Sequence, residues 1–312
     1  MRPSSSGPPC APLARPLVIG ASGLVGGAFH ARLAAGGYAV TGTYRANARP
    51  GLERFELAGD SPALLERLRP SAVVLASALT HVDYCENHEA ETLERNVGQV
   101  RPVAAWCSSH GVPLVYFSTD YVFDGAAGPY DEDAPTRPLN VYGRSKLLAE
   151  QVVASCPRHV VLRITNVFDI GFDDRNFLHR CVTSLRDGQS LVVPSDQLAT
   201  PTYATWLADQ TVRLVEAGRL LADGSPQRLH ASCDDLVSRA DFARRVASRL
   251  GADPALITLR TTADLHQPAP RPLRAGLRNR RWKALLGVER LPLDEALDDC
   301  LPRMRRLYAR TL

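Results

Sequence analysis

At 312 residues, 45% hydrophobic and 22% charged, the chain has the composition of a folded, water-soluble protein with material for one large or two moderate domains. A formal charge of +4, small and dispersed, argues against a nucleic-acid partner and suits an anionic small ligand. Seven cysteines without Cys-x-x-Cys spacing argue against a zinc site and a disulfide framework, so we expect no metal and a reducing cytoplasm, and no apolar run approaches membrane-spanning length.

Met1 to Pro16 is rich in proline and serine and holds no apolar stretch long enough for a signal peptide, so residues 1–15 read as a disordered tail. The ordered chain begins with Pro16-Leu17-Val18-Ile19, a short apolar strand that stops at Gly20-Ala21-Ser22-Gly23-Leu24-Val25-Gly26. A helix from Leu24 to Ala35 follows, Gly36-Gly37 ends it, and Tyr38 to Tyr44 alternates as a second strand, completing a βαβ unit. Glycines at such a turn let the backbone approach a pyrophosphate that the helix's first amides then hold. Gly20, Ser22, Gly23, Leu24, Val25 and Gly26 are therefore candidate cofactor contacts. The Gly-x-x-Gly-x-x-Gly spacing departs from the Gly-x-Gly-x-x-Gly fingerprint and is common in short-chain dehydrogenases/reductases. After the second strand an NAD site wants a carboxylate for the ribose 2′-hydroxyl, whereas this chain has Thr43, Tyr44 and Arg45. A cation there favours a 2′-phosphate, so Arg45 points to NADPH, with NADH as the alternative.

Ala72 to Ser77 reads as a third strand. Small residues at its carboxyl end leave room at the edge where open α/β sheets bind ligands, which makes Ala76, Ser77 and Ala78 neighbours of the dinucleotide. His81, isolated, reads as structural. A helix is expected from Glu86 to His110, a fourth strand from Val112 to Phe117 with Ser118-Thr119 at its ligand edge, a helix from Asn140 to Ser155 and a strand from Val160 to Ile164. Tyr142 and Lys146, four apart on that helix, share a face. An ammonium beside the phenol lowers a pKa near ~10 toward the working range and makes Tyr142 a candidate general acid. Alternating strands and helices without internal repeats give an α/β fold, a doubly wound parallel sheet of the Rossmann type, with residues 16–165 and later returning segments as the dinucleotide-binding domain.

Residues 166–312 change character. Helices at Phe177 to Arg186, Tyr203 to Glu216, Arg239 to Leu250 and Leu293 to Arg310 alternate with short strands at Leu191 to Val193 and Arg228 to Ala231. They read as a smaller, interleaved α/β substrate-binding part over the ligand edge of the sheet, with the site in the cleft between. The basic stretch Arg271 to Lys283 is either a solvated face or a pyrophosphate-binding surface.

Phe117-Ser118-Thr119-Asp120-Tyr121-Val122-Phe123-Asp124-Gly125, Pro138-Leu139-Asn140-Val141-Tyr142-Gly143-Arg144-Ser145-Lys146, Asp196-Gln197 and Pro201-Thr202-Tyr203 together resemble the dTDP-4-dehydrorhamnose reductase family of extended short-chain nucleotide-sugar reductases. The resemblance runs from Leu17 to the Arg271-Pro272 motif and the last helix, and puts Thr119, Tyr142 and Lys146 on the family's catalytic positions. It implies NADPH-dependent reduction of the C4 keto group of a nucleotide-linked 4-keto-6-deoxysugar. Tyr142 would protonate the alkoxide, Lys146 would hold the nicotinamide ribose and tune Tyr142, and Thr119 would orient the carbonyl. Thr80, Asp120, Tyr121, Asn166, Asn176 and Thr202 flank the sugar-side motifs and are expected to bind substrate. Asn166 stands where rhamnose-forming members usually carry tryptophan, exchanging an aromatic wall for an amide. Asp120 is followed by Tyr121 and not by the glutamate of a dehydratase, which favours simple reduction. The alternatives are a nucleotide-sugar epimerase, or a partner-binding subunit like the regulatory β subunit of methionine adenosyltransferase. A homodimer is compatible with either enzyme reading.

Overall fold

The computed structural model describes residues 13–225 and 227–308. Six strands come first: β1 (Pro16–Ile19), β2 (Thr41–Tyr44), β3 (Leu52–Arg54), β4 (Ala72–Leu75), β5 (Leu114–Thr119) and β6 (His159–Ile164). β7 (Leu191–Pro194) and β8 (Leu198–Ala199) lie outside their sheet, β9 (Arg228–His230) returns to it, and β10 (Val237–Ser238) and β11 (Ile257–Arg260) leave it again. The helices are α1 (Leu24–Ala35), α2 (Leu57–Leu68), α3 (Val82–Asn87), α4 (Glu89–Leu93), α5 (Val100–His110), α6 (Val141–Val153), α7 (Phe177–Arg186), α8 (Ala204–Glu216), α9 (Arg239–Leu250), α10 (Arg280–Leu286) and α11 (Leu293–Tyr308).

The central sheet is parallel throughout, in the order β3-β2-β1-β4-β5-β6-β9. Helices cover both of its faces, so β1, β4, β5 and β6 are buried along their whole length and read as apolar runs instead of alternating ones. The pleat sorts their side chains. Val18, Val74, Val115 and Leu162 pack with Phe29 and Leu33 of α1 and Leu207 and Val212 of α8. Leu17, Ile19, Val73 and Leu75 face Leu65 of α2, Val103 and Cys107 of α5, and Ala149 of α6. A third core, with Phe168, Leu178, Tyr203, Phe242, Val246 and Leu297, joins α7, α9 and α11. Beside it β7 pairs with β11 in parallel and β8 with β10 antiparallel. Strand order reverses at β1, and the register Ile19 to Leu75 brings the Gly20 turn against Ala76 at this switch point, where doubly wound sheets open a crevice for ligands. Among the described residues no helix is long and apolar enough to cross a membrane.

Several boundaries differ from expectation for local reasons. Residues 1–12 of the expected tail lie outside the described residues, but Leu13 is buried in the first core and the Arg15 amide donates to Ser71 Oγ at 2.8 Å, so structure begins before Pro16. The second strand is only Thr41–Tyr44. The expected helix from Glu86 to His110 is interrupted by a wide π turn, Glu94–Gly98. That turn buries Asn96, whose Nδ2 donates to Leu79 O at 3.0 Å and Ser145 Oγ at 2.9 Å and whose Oδ1 accepts from Leu79 N at 2.8 Å. One side chain thereby ties the loop after β4 to α6. β3 and α2 leave little signal in the sequence: the first is a half-exposed edge of three residues, and the second contains Gly59-Asp60-Ser61-Pro62, a turn-like sequence.

Candidate functional site

The glycine turn between β1 and α1 is built for a close approach. Gly20 holds φ +90°, and a Cβ there would stand 2.9 Å from Ser77 N; a Cβ on Gly26 would stand 2.2 Å from Gly20 O. Gly26 therefore seats α1 on the turn, and neither Gly26 nor Val25 lines the cavity. Gly23 is the N-cap of α1 and offers no side chain to cover the helix's first amides, and no acidic residue occupies the first turn. That bare amide end is an anion cradle. A cavity of about 610 Å³ lies over it, lined by Gly20, Ser22, Gly23, Leu24, Arg45, Ala76, Ser77 and Ala78, with Arg95 and Gln99 from the π turn region as members that sequence reasoning missed. Arg45 is exposed at its rim.

Thr119 ends β5 and caps the 3₁₀ turn Asp120–Val122, its Oγ1 accepting from Tyr121 N at 3.2 Å. Tyr142 and Lys146 stand one turn apart on α6, whose N-cap Asn140 accepts from Gly143 N at 2.8 Å. The Thr119 hydroxyl lies near enough to the Tyr142 phenol to act on it, and the three candidates are thus together. Their electrostatics differ from expectation. The Lys146 ammonium donates to the Tyr116 hydroxyl at 2.5 Å, and burial pulls its pKa down to about 7, against a small upward pull from Glu150. Burial, offset in part by Thr119, pushes the Tyr142 phenol above its ordinary value instead of Lys146 lowering it. Tyr142 is consequently protonated at neutral pH, the form a proton donor needs. None of the three is on a cavity wall; Tyr121, which is, meets the Tyr142 ring edge to face at 5.8 Å.

A second cavity of about 790 Å³ opens toward the C-terminal part, and Thr80, His81, Val167, Arg175 and Asn176 line both. Thr80, Tyr121, Asn166 and Asn176 lie on its wall as expected positions, but their side chains are not equally available. Asn176 caps α7 by accepting from His179 N at 3.3 Å while its Nδ2 donates to Asp169 O and Asp173 O, so its amide is spent on structure. Asp120 and Thr202, also expected to bind substrate, are buried off the wall and hydrogen-bonded within the fold. Asp120 accepts from Thr119 at 3.2 Å and Thr165 at 2.7 Å, and burial raises its pKa to about 6; Thr202 Oγ1 donates to Ala231 O at 2.8 Å and accepts from Thr165 N. His81 caps α3, accepting from Tyr84 N at 3.0 Å. Asn166 adopts φ +40°, which asparagine tolerates better than most residues, and its Oδ1 accepts from Arg239 Nη2 at 2.9 Å.

Arg239, over the Phe177 ring at 4.8 Å, and Arg175, Arg180, His179 and Gln267 complete a cationic, polar wall that the sequence did not disclose. Gln267 Oε1 is a buried acceptor without a hydrogen-bond partner. The basic stretch splits. Arg271 lines the cavity and pairs with Asp83 at 2.8 Å, while Arg278, Arg281 and Lys283 pair with Asp131, Asp133 and Asp234 away from it. No group of three or more His, Cys, Asp or Glu side chains arranged for a metal occurs among the described residues.

The RmlD substrate binding domain family matches the chain over residues 14–306. The dTDP-4-dehydrorhamnose reductase of Mycobacterium tuberculosis is 36% identical over 236 residues, covering 73% of this chain and 75% of its own. That of Streptomyces griseus is 34% identical over 282 residues, 90% of each. In solved structures, the dTDP-4-dehydrorhamnose reductase of Clostridium acetobutylicum superposes with a TM-score of 0.82 at 25% identity, covering 93% of this chain and 99% of that one. One from Bacillus anthracis, solved in complex with NADP, gives 0.81 at 23% identity over the same shares.

Proposed function

The chain belongs to the RmlD substrate binding domain family, and on that premise we propose that it reduces the C4 keto group of a nucleotide-linked 4-keto-6-deoxysugar with NADPH. The observation that carries the reading is the convergence of Thr119, Tyr142 and Lys146 at the sheet's carboxyl edge, the edge that also carries a backbone-built anion cradle. Relatives named for dTDP-4-dehydrorhamnose support a thymidine diphosphate sugar. NADPH, when bound, supplies the hydride. The amides at Gly23 and the start of α1 take the diphosphate, and Arg45 at the rim takes the 2′-phosphate. Thr119 orients the carbonyl, and Tyr142, kept protonated by burial, transfers its phenolic proton to the developing alkoxide. Lys146 holds the ribose hydroxyls and favours the phenolate that remains.

The larger cavity takes the nucleotide sugar, with its cationic wall toward the diphosphate and Tyr121 and Asn166 toward the sugar. We place the enzyme in the cytoplasm; the described cysteines are free and buried, which accords with a reducing compartment. The experiment is NADPH consumption by purified protein against a panel of TDP-, UDP- and GDP-linked 4-ketosugars. Turnover with a TDP-linked member is expected. Protein that binds NADPH, consumes none with any of them and co-purifies with a second protein would return the chain to the partner-binding branch.

A further inference from the structure

We propose that Tyr116 of β5, outside the Thr119-Tyr142-Lys146 set, is a positioning residue that keeps the Lys146 ammonium charged and aimed. This rests on the reductase reading, because it is there that the charge on Lys146 matters. The Lys146 side chain is buried, 3% exposed, and its Nζ donates to the Tyr116 hydroxyl at 2.5 Å. The same nitrogen lies 4.1 Å from the Tyr116 ring centroid, so one side chain gives the cation both a lone pair and a π face.

A buried ammonium has lost the water that stabilises its charge, and few groups replace it. On its own helix Lys146 has Tyr142 and Glu150. Glu150 is the carboxylate that acts on it, but Arg163 of β6 holds both Glu150 oxygens at 2.8 Å, which leaves little net negative charge for the lysine. Cys85 of α3 and Asp120 and Tyr121 of the 3₁₀ turn act on Tyr142 one turn away. Tyr116 remains as the contact. Burial keeps its own phenol protonated, so it stabilises the ammonium as a dipole and retains a proton of its own. Because burial already brings Lys146 to about 7, loss of this contact shifts the charged fraction where the enzyme works.

Tyr116→Phe tests this, since it keeps the ring and its packing while removing the oxygen. Losing an acceptor that favours the charged form lowers the Lys146 pKa further, so the ammonium is lost at lower pH. The expected result is a basic limb of kcat against pH that falls about one unit earlier, with roughly tenfold loss near pH ~8 and little near pH ~6. NADPH affinity, titrated calorimetrically without turnover, should decline more steeply between those pH values than in the unaltered protein. Tyr116→Leu, which also removes the π face, should move both further. A basic limb and an affinity profile unmoved in Tyr116→Phe would reduce Tyr116 to packing, even if kcat fell uniformly. If no ketosugar turns over, the reductase reading fails on its own account, and the affinity profile still decides Tyr116.

Discussion

The two cavities that meet at Thr80 are made of different material. The first has a floor of main chain and small residues: a glycine turn, the bare amide end of α1, and Ala76, Ser77 and Ala78 at the end of β4. The second is walled by long polar side chains, Arg175, Arg180, Arg239, Gln267 and Arg271, from a loop, α7, α9 and the segment before α10. Backbone geometry admits few sequences, because a Cβ at Gly20 or Gly26 collides with main chain. A side-chain wall can be exchanged residue by residue without touching the fold. Asn166 and its Arg239 partner lie on this exchangeable wall.

The sharpest break in the comparison lies at the seam, where chemistry depends on neither wall. Tyr142→Phe should lower kcat by about 10²–10⁴ while NADPH affinity stays within a few fold, because the ring persists and only the proton donor is lost. Steady-state turnover and a binding titration check it. Undiminished turnover would remove Tyr142 as the acid.

The same contrast explains what was legible in the sequence. The strands β1, β4, β5 and β6 and the turn at Gly20 announce themselves through continuous apolar runs ending in small residues, a local pattern. α7 and α9 end where expected, and Asn176 and Ser238 cap them, Ser238 in a capping box with Asp241. Availability of a side chain is not local. Nothing near Thr202 in the sequence shows that it turns inward to Ala231. The Tyr142-Lys146 spacing was readable, but the partner that Lys146 adopts, Tyr116, comes from β5, thirty residues earlier. The wide turn that buries Asn96 leaves no mark in hydrophobic periodicity either.

Asp120 sharpens the comparison from the stability side, since it supports the seam from beneath without touching either cavity. Burial raises its folded pKa to about 6, above the ~3.9 of an unfolded aspartate. The native state therefore binds the proton more tightly, and stability is full below pH ~4 and declines as pH rises toward ~6. The shift of about two units corresponds to a loss of up to about 3 kcal/mol across that window. Asp120→Asn should escape it. Denaturant unfolding near pH ~4.5 and ~7 should show the variant gaining on the unaltered protein as pH rises, and parallel profiles would refute the burial cost.

Arg45 stands exposed on the rim of the first cavity, where we propose it reads the 2′-phosphate. Arg45→Ala should weaken NADPH by about 1.5 kcal/mol, the low end for a charge-assisted contact because the rim is exposed, and leave NADH nearly unaffected. Equal weakening of both in parallel titrations would show that Arg45 does not read the 2′-phosphate.

Asn166 carries the smallest effect and tests the side-chain wall most directly. Its Oδ1 is committed to Arg239, which leaves Nδ2 as its donor toward the cavity it lines. If that donor meets the sugar, Asn166→Ala should raise KM and leave kcat close to unchanged, at a cost of about 0.5–1.5 kcal/mol for an uncharged contact. The loss of Arg239's partner enters the same measurement, so the cycle with Arg239→Lys separates the two. Lysine keeps the charge but lacks the planar fork that holds the asparagine oxygen. Non-additive KM effects in the double variant would mean that the pair reads the sugar as a unit; strictly additive ones would mean that Asn166 and Arg239 contact different parts of the substrate. A kcat that falls with KM unchanged would place Asn166 at the reacting carbon instead of the wall.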